Sequence, residues 1–249
     1  MSEFDIEWTM TSDPITLGPK RINELLKFSG LPENWFKGKR VLDAGCGVGR
    51  LTWALQQLGA KVDSFDISPV AVERARAINP QAYVSNILSL RENRVYDFVL
   101  SWGVLHHLPD PRLGFKRVAS QVKLGGLLLV MLYHRGTQWR YREGRELWPS
   151  LSHEQRLAYC KRCAERIGGE VQEWYDAFNP KYNWSYLPTE LAGWFQAEGF
   201  QDMVLTNRFS VNMRGTYMGT GKAQEPSFLQ LEDAYWLARL WIRRFLRRG

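Results

Sequence analysis

Cysteine, histidine and long apolar runs are all scarce in this chain. Three cysteines in 249 residues, Cys46, Cys160 and Cys163, cannot build a disulfide framework for a chain of this length. Cys160 and Cys163 form a single CxxC with only His153 close by. A structural zinc needs four ligands, so the spacing reads as two positions on one amphipathic helix, and no metal is expected. The longest strongly apolar stretch, residues 124–132, is far short of the roughly 20 residues that span a bilayer. The start, MSEFDIEWTM, has neither the basic residues nor the apolar core of a signal peptide. Repeats and low-complexity tracts are absent from the sequence. The expectation is a cytoplasmic globular protein, and its size fits one α/β domain covering 1–249.

Positive charge is present but uneven. The formal net charge is +7, yet Arg239, Arg243, Arg244, Arg247 and Arg248 stand within the last eleven residues with no acid among them. Without those five arginines the charge falls to +2. The basic character therefore belongs to the tail, which disfavours nucleic acid as the partner of the whole domain. Residues 229–248 read as an amphipathic helix with Ala234, Leu237, Ala238, Trp241 and Phe245 on one face and arginines on the other. Such a helix packs on its own domain or a partner subunit, or lies on an anionic membrane surface.

Apolar strand patterns alternate with helical ones from residue 20 onward. Residues 40–44, 61–66, 81–85, 95–101 and 126–133 read as strands; 20–29, 50–58, 69–79 and 112–122 read as helices. Ser68 and Pro69 supply an N-cap and a first helical residue. A helix over 188–198 and closing strands over 202–207 and 210–220 complete the chain. The alternation predicts a doubly wound, mostly parallel α/β sheet of seven strands with strand 1 central. Ligands in such sheets bind beyond the carboxyl ends of the strands. Residues 137–185 break the alternation as a helical insertion rich in Trp, Tyr, Arg and Glu. It leaves strand 5 on the ligand side, where a lid or acceptor pocket belongs.

The densest chemical signal is VLDAGCGVGRLT, residues 41–52. Glycines at 45, 47 and 49 permit a tight strand-to-helix turn and a close approach of ligand to backbone. The dinucleotide fingerprint is GxGxxG; here the spacing is GxGxG, and Arg50 stands where its last glycine would be. Asp43, inside the turn, would repel a pyrophosphate and suit a cationic amino group.

This D-x-G-x-G-x-G turn resembles the first motif of class I S-adenosylmethionine-dependent methyltransferases. The resemblance continues in order through KVDSFDIS, YVSNILSL, YDFVLSWGVLHHLPDP and VKLGGLLLVML, over residues 39–132. It is closest to the "type 11" group that includes ubiquinone and menaquinone methyltransferases. The resemblance implies a Rossmann-like methyltransferase fold, S-adenosylmethionine as cofactor and S-adenosylhomocysteine as product. It implies that Asp43, Gly45, Cys46 and Gly47 hold the amino-acid end, that Asp66 beside Ile67 accepts the ribose diol, and that Asn86 and Ile87 meet adenine. The family more often has Asp at position 86, and Leu124 replaces its usual Pro. Ser101, Trp102 and His106 fall in the family's fourth motif and the loop after it.

Methyl transfer from a sulfonium needs alignment and exclusion of water rather than a covalent nucleophile. His106 and His107 read as scaffolding of the cofactor site. His134 and Tyr133, directly after strand 5, are the candidates for proton removal from an acceptor or for orienting it. Tyr182, Trp184 and Tyr186 either line a flat acceptor pocket or pack the insertion onto the sheet, and Trp8 and Arg21 are placed to close over the cofactor. The expected activity is methylation of a small-molecule acceptor at O, N or C. Two rivals are an RNA methyltransferase using the arginine tail and a non-catalytic cofactor-binding partner subunit. The sequence leaves the oligomeric state open.

Overall fold

The computed structural model describes residues 4–10, 18–207, 209–219 and 235–236. Its centre is β1 (Arg40–Ala44), where Val41, Leu42 and Ala44 are buried. A strand covered on both faces carries continuous apolar residues rather than an alternation. β1 pairs in parallel with β2 (Lys61–Asp66) and β4 (Tyr96–Trp102). β3 (Tyr83–Val84) flanks β2, and β5 (Val122–Leu132) flanks β4. The seven-stranded order is β3-β2-β1-β4-β5-β7-β6. β7 (Val211–Tyr217) runs antiparallel to β5 and to β6 (Phe200–Asn207). The chain winds outward in opposite directions from β1 and β4, so the crevice lies above their carboxyl ends.

Helices cover both faces. α2 (Gly18–Ser29) and α3 (Arg50–Gln57) bury Leu25, Ala54 and Leu55 against Phe36, Phe98 and Leu129. On the other face, α5 (Pro111–Ala119) and α9 (Pro188–Ala197) bury Phe115, Leu191 and Phe195 against Val99, Leu128 and Met213. α4 (Pro69–Ala75) begins as the sequence indicates, with Ser68 Oγ accepting from the Ala71 amide at 3.1 Å. It ends at Ala75, four residues before the expected end. Asn79 instead turns inward, donating to Val62 O at 3.0 Å and Ser64 Oγ at 2.9 Å.

Two boundaries differ from the sequence reading for a shared reason. α5 stops at Ala119, and β5 begins at Val122 rather than at residue 126. Gly125 (φ +75°) and Gly126 lie inside the strand, at an irregularity in its pairing with β4. A Cβ on Gly126 would stand 2.9 Å from the carbonyl oxygens of Lys123 and Tyr96. The glycines thus serve a bulge rather than a turn. β3 is two residues long, and α1 (Asp5–Met10) was not anticipated.

The insertion holds a 3₁₀ turn (Arg135–Tyr141), α6 (Arg142–Leu147), α7 (His153–Ile167) and α8 (Val171–Phe178). It has a small core of its own: Trp148, Cys160, Trp174, Tyr175 and Phe178, with Ile6 of α1 packed against it. α7 opens on a capping box between Ser152 and Gln155. Both residues of the CxxC ride on α7, with Cys160 buried and burial raising its thiol to about 12. Among the described residues there is no His/Cys/Asp/Glu group fit to hold a metal, and no helix long and apolar enough to cross a membrane. The expected tail helix over 229–248, with its proposed membrane contact, lies outside the described residues apart from Tyr235 and Trp236.

Phe195 is fully buried, its ring edge-on to Phe115 and Phe200 at 4.9 and 5.3 Å. Phe195→Ala should lower unfolding free energy by about 3–5 kcal/mol, read by urea denaturation. A loss below about 1 kcal/mol would show that this face collapses around the gap.

Candidate cofactor and acceptor site

The turn after β1 is tied to the tip of β2. Gly45 N and Cys46 N both donate to Phe65 O at 2.9 Å. Gly47 N donates to Asp66 Oδ2 and Ser68 N to Asp66 Oδ1, each at 2.9 Å. Gly45, Gly47 and Gly49 all have positive φ, between +54° and +88°, a region closed to most side chains. Space is equally tight: a Cβ would come within 2.5 Å of Val104 at Gly45 and of the Trp8 ring at Gly47.

Beside this turn lies a cavity of about 250 Å³. Asp43, Gly45, Cys46 and Gly47 form its floor; Trp102 of β4 and Arg50 and Leu51 of α3 form its sides. α2 presents Arg21, Glu24, Leu25 and Phe28, and Trp8 of α1 and Glu173 of α8 close it.

Two charged side chains in this wall have unspent capacity. Asp43 is buried and accepts from Thr52 Oγ1 at 2.7 Å. Desolvation dominates, with the neighbouring Asp66 adding to it, and raises its carboxyl to about 7. Arg21 is 8 % exposed. Its Nη1 donates to Glu24 at 2.7 Å, while Nε and Nη2 have no hydrogen-bond partner among the described residues. Buried guanidinium donors in that state favour an anionic ligand. Burial also lowers Arg50, with Arg21 repelling it and Glu170, Glu173 and Asp176 opposing the shift.

The structure gathers Asp43, Gly45, Cys46, Gly47 and Trp102 in one wall, with Trp8 and Arg21 opposite. The other expected cofactor contacts do not line this cavity. Asp66 lies on the far side of the Gly47 amide, its burial raising its carboxyl and its backbone hydrogen bonds opposing. Ile67 is exposed beside it and Ile87 is buried in the core. Asn86 Oδ1, the oxygen expected to meet adenine, accepts from Leu88 N at 2.9 Å as a turn cap, which leaves its amide nitrogen for a ligand. Ser101 Oγ donates to Ala44 O at 3.3 Å, bracing the strand tips.

His134 does not enter the cavity. Its Nδ1 accepts from Gly136 N at 2.8 Å, and its ring packs on Trp236 at 4.6 Å. Burial, with Arg135 adding, lowers it to about 4. Those bonds make it a cap for the 3₁₀ turn that starts the insertion. Tyr133 instead stacks on His106 at 3.7 Å and donates to Asp176 Oδ2 at 3.0 Å. His106 is fully buried and held well below the usual imidazole value by desolvation. Tyr182 and Trp184 are parallel with ring centres 6.5 Å apart, and Tyr186 packs edge-on to Trp194.

Sequence reasoning missed Glu24, Leu25, Phe28, Arg50, Leu51 and Glu173. Four cavity residues of α2, at positions 21, 24, 25 and 28, follow helical spacing and were legible as one face. Glu173 had no local signal, because the packing of the insertion alone brings it here.

Comparison with known proteins settles the family. A methyltransferase domain model matches residues 19–205. The chain belongs to the methyltransferase domain family. It is similar to the ubiquinone biosynthesis O-methyltransferase of Xanthomonas campestris pv. campestris, 32% identical over 127 residues, or 48% of this chain and 51% of that protein. The Coxiella burnetii protein of the same name is 31% identical over 157 residues, 49% of this chain and 67% of that one. The chain thus spans about half the length of the first of these relatives. A Haloferax volcanii methyltransferase, solved with the Trm112 methyltransferase activator, shares the fold at TM-score 0.57 and 17% identity, over 87% of this chain and 98% of that one. The magnesium protoporphyrin IX methyltransferase of Synechocystis PCC 6803, solved with bound S-adenosylmethionine, does so at TM-score 0.51 and 20% identity, over 81% of each. The fold is therefore the Rossmann-like methyltransferase fold expected from the sequence.

A carboxyl whose value is raised by burial holds its proton in the fold between about pH 4 and 7 and releases it when unfolded. Stability of the free protein should then fall as pH rises through that window. Asp43→Asn should remove this component. Thermal melts of both proteins between pH 5 and 8 measure it; parallel curves would show that Asp43 is ionised throughout.

Proposed function

We propose that this protein transfers a methyl group from S-adenosylmethionine to a phenolic oxygen of a small molecule. The observation that carries the reading is that buried Asp43 lines one cavity with Arg21, whose Nε and Nη2 make no hydrogen bond among the described residues. A free amino acid end offers an ammonium to the first and a carboxylate to the second. These residues and the glycine turn fit that group. Asp66, at the next strand tip, takes the ribose diol in addition to the Gly47 and Ser68 amides it already accepts, with exposed Ile67 and the amide nitrogen of Asn86 toward the base. The acceptor class follows from the likeness to ubiquinone biosynthesis O-methyltransferases.

When bound, S-adenosylmethionine supplies a methyl group already activated on a cationic sulfur. The protein's own work is alignment and exclusion of water. Trp8, Phe28 and Trp102 give the cavity aromatic walls, and Phe28 packs on Trp102 at 4.7 Å. α1 and the insertion share a core and act together as the cover, and α1 is tied to α4, with Ser68 Oγ donating to Asp5 at 2.5 Å and Arg74 donating to the Trp8 carbonyl.

Calorimetric titration with S-adenosylhomocysteine tests the cofactor half. A charge-assisted hydrogen bond contributes about 1.5–3 kcal/mol, so Arg21→Ala and Asp43→Asn should each weaken binding roughly tenfold to a hundredfold. Neither should alter binding of methylthioadenosine, which lacks the amino acid end. Wild-type affinity for S-adenosylhomocysteine should rise between pH 6 and 8 as Asp43 ionises. Equal losses for both ligands would place the amino acid end elsewhere.

A further inference from the structure

The insertion delivers an acid to the end of β5. Glu170 is the N-cap of α8, and Glu173 and Asp176 follow within the helix at successive intervals of three. Glu173 lines the cavity, and Glu170 lies 4.0 Å from Arg21. Asp176, one turn further on, accepts from Tyr133 through Oδ2 at 3.0 Å and faces His107 Nε2 through Oδ1 at 3.4 Å. His107 is fixed on its other side: Nδ1 lies 2.9 Å from the Tyr182 carbonyl. A carbonyl oxygen only accepts, so Nδ1 carries a hydrogen, and in the neutral ring Nε2 is then the lone-pair nitrogen that faces Asp176. Tyr133 follows β5 two residues after Met131, the register partner of cavity residue Trp102.

We infer that Tyr133, Asp176 and His107 form the proton-accepting relay of the transfer, with Tyr133 as the group that meets the acceptor. The inference rests on the methyltransferase reading above. As the acceptor oxygen bonds to the methyl carbon, the carbon–sulfur bond breaks and its electron pair stays on sulfur. The phenolic proton passes to the Tyr133 oxygen while Tyr133 gives its own to Asp176 Oδ2. That proton is held on the Asp176 carboxyl, with His107 Nε2 as hydrogen-bond acceptor for the protonated form. Asp176 is 28 % exposed, so the proton leaves to water. Burial and the Asp176 charge hold the Tyr133 phenol well above its ordinary value. Tyr133 therefore conducts a proton toward an anion rather than storing negative charge itself. Arg145 stacks over its ring at 5.9 Å, and His106 covers its other side. The base is thus assembled by α8 and does not involve His134.

The test uses the full chain, tritiated S-adenosylmethionine, and phenol, catechol and hydroquinone probes with and without an alkyl chain. Tyr133→Phe and Asp176→Asn should each lower kcat about a hundredfold, within the range for general-base catalysis. KM and S-adenosylhomocysteine affinity should stay within about threefold. Asp176→Glu should recover part of the rate, and the solvent deuterium isotope effect on kcat should change in Tyr133→Phe. In the ligand-free protein, imidazole 15N spectra should place the His107 hydrogen on Nδ1, and Asp176→Asn should move the Nε2 resonance. Homocysteine-form binding without transfer to any probe overturns the relay and leaves the cofactor site standing. Absence of that binding overturns the reading beneath it as well. Near-normal kcat in Tyr133→Phe, or an unmoved Nε2 signal, also overturns the relay.

Discussion

The carboxylate of Asp66 is the joint that holds the cofactor end together. It receives the amides of Gly47 and Ser68 at once, locking the glycine turn of β1 to the start of α4. Two buried amides would otherwise lack partners, a cost of about 1–3 kcal/mol each. The turn can therefore keep three glycines with positive φ, despite the conformational entropy they lose, because an ion anchors it. The same anchor fixes where Asp43 and the cavity floor lie. Asp66 sits close enough to Asp43 for its charge to add to the burial that raises Asp43, and the Thr52 hydrogen bond opposes that rise. A ligand ammonium beside Asp43 would relieve that repulsion.

A second constraint comes from the cover. α1 and the insertion are far apart in sequence yet share one apolar core through Ile6, Trp174 and Phe178. Burial of these side chains, at about 25 cal/mol per Å² of apolar area, joins them into one body over the crevice. Its underside is acidic along α8, while Arg21 of α2 and Arg50 of α3 line the cavity beside a floor that is acidic at Asp43. The cavity is thus polar at its ends and aromatic at its sides, matching a ligand with charge at one end and apolar surface elsewhere.

Particular residues show why parts of the site could be read early and others not. The glycine turn, Asp43, Asp66 and Trp102 are set by local rules, since a parallel strand tip must turn and the turn must be glycine. The α2 face follows from helical spacing. The direction of the His134 side chain was not legible, because position after a strand says nothing about rotamer. Its ring turns back to cap its own loop, and its neighbour Tyr133 points the other way. Asn86 likewise spends its oxygen on a local turn, as Asn side chains commonly do.

The amino acid order by itself determined the alternating strands and helices, the central place of β1, and the loops that carry chemistry, because period and turn chemistry are local properties. Tertiary packing decided that α1 covers Gly47, that Arg21 and Asp43 line one cavity, and that Glu173 and Asp176 come to the crevice. Those pairings join segments as far apart as Trp8 and Glu173. Nothing in a local pattern specifies which surface a helical insertion will lay against the sheet; the apolar core it shares with α1 fixes it.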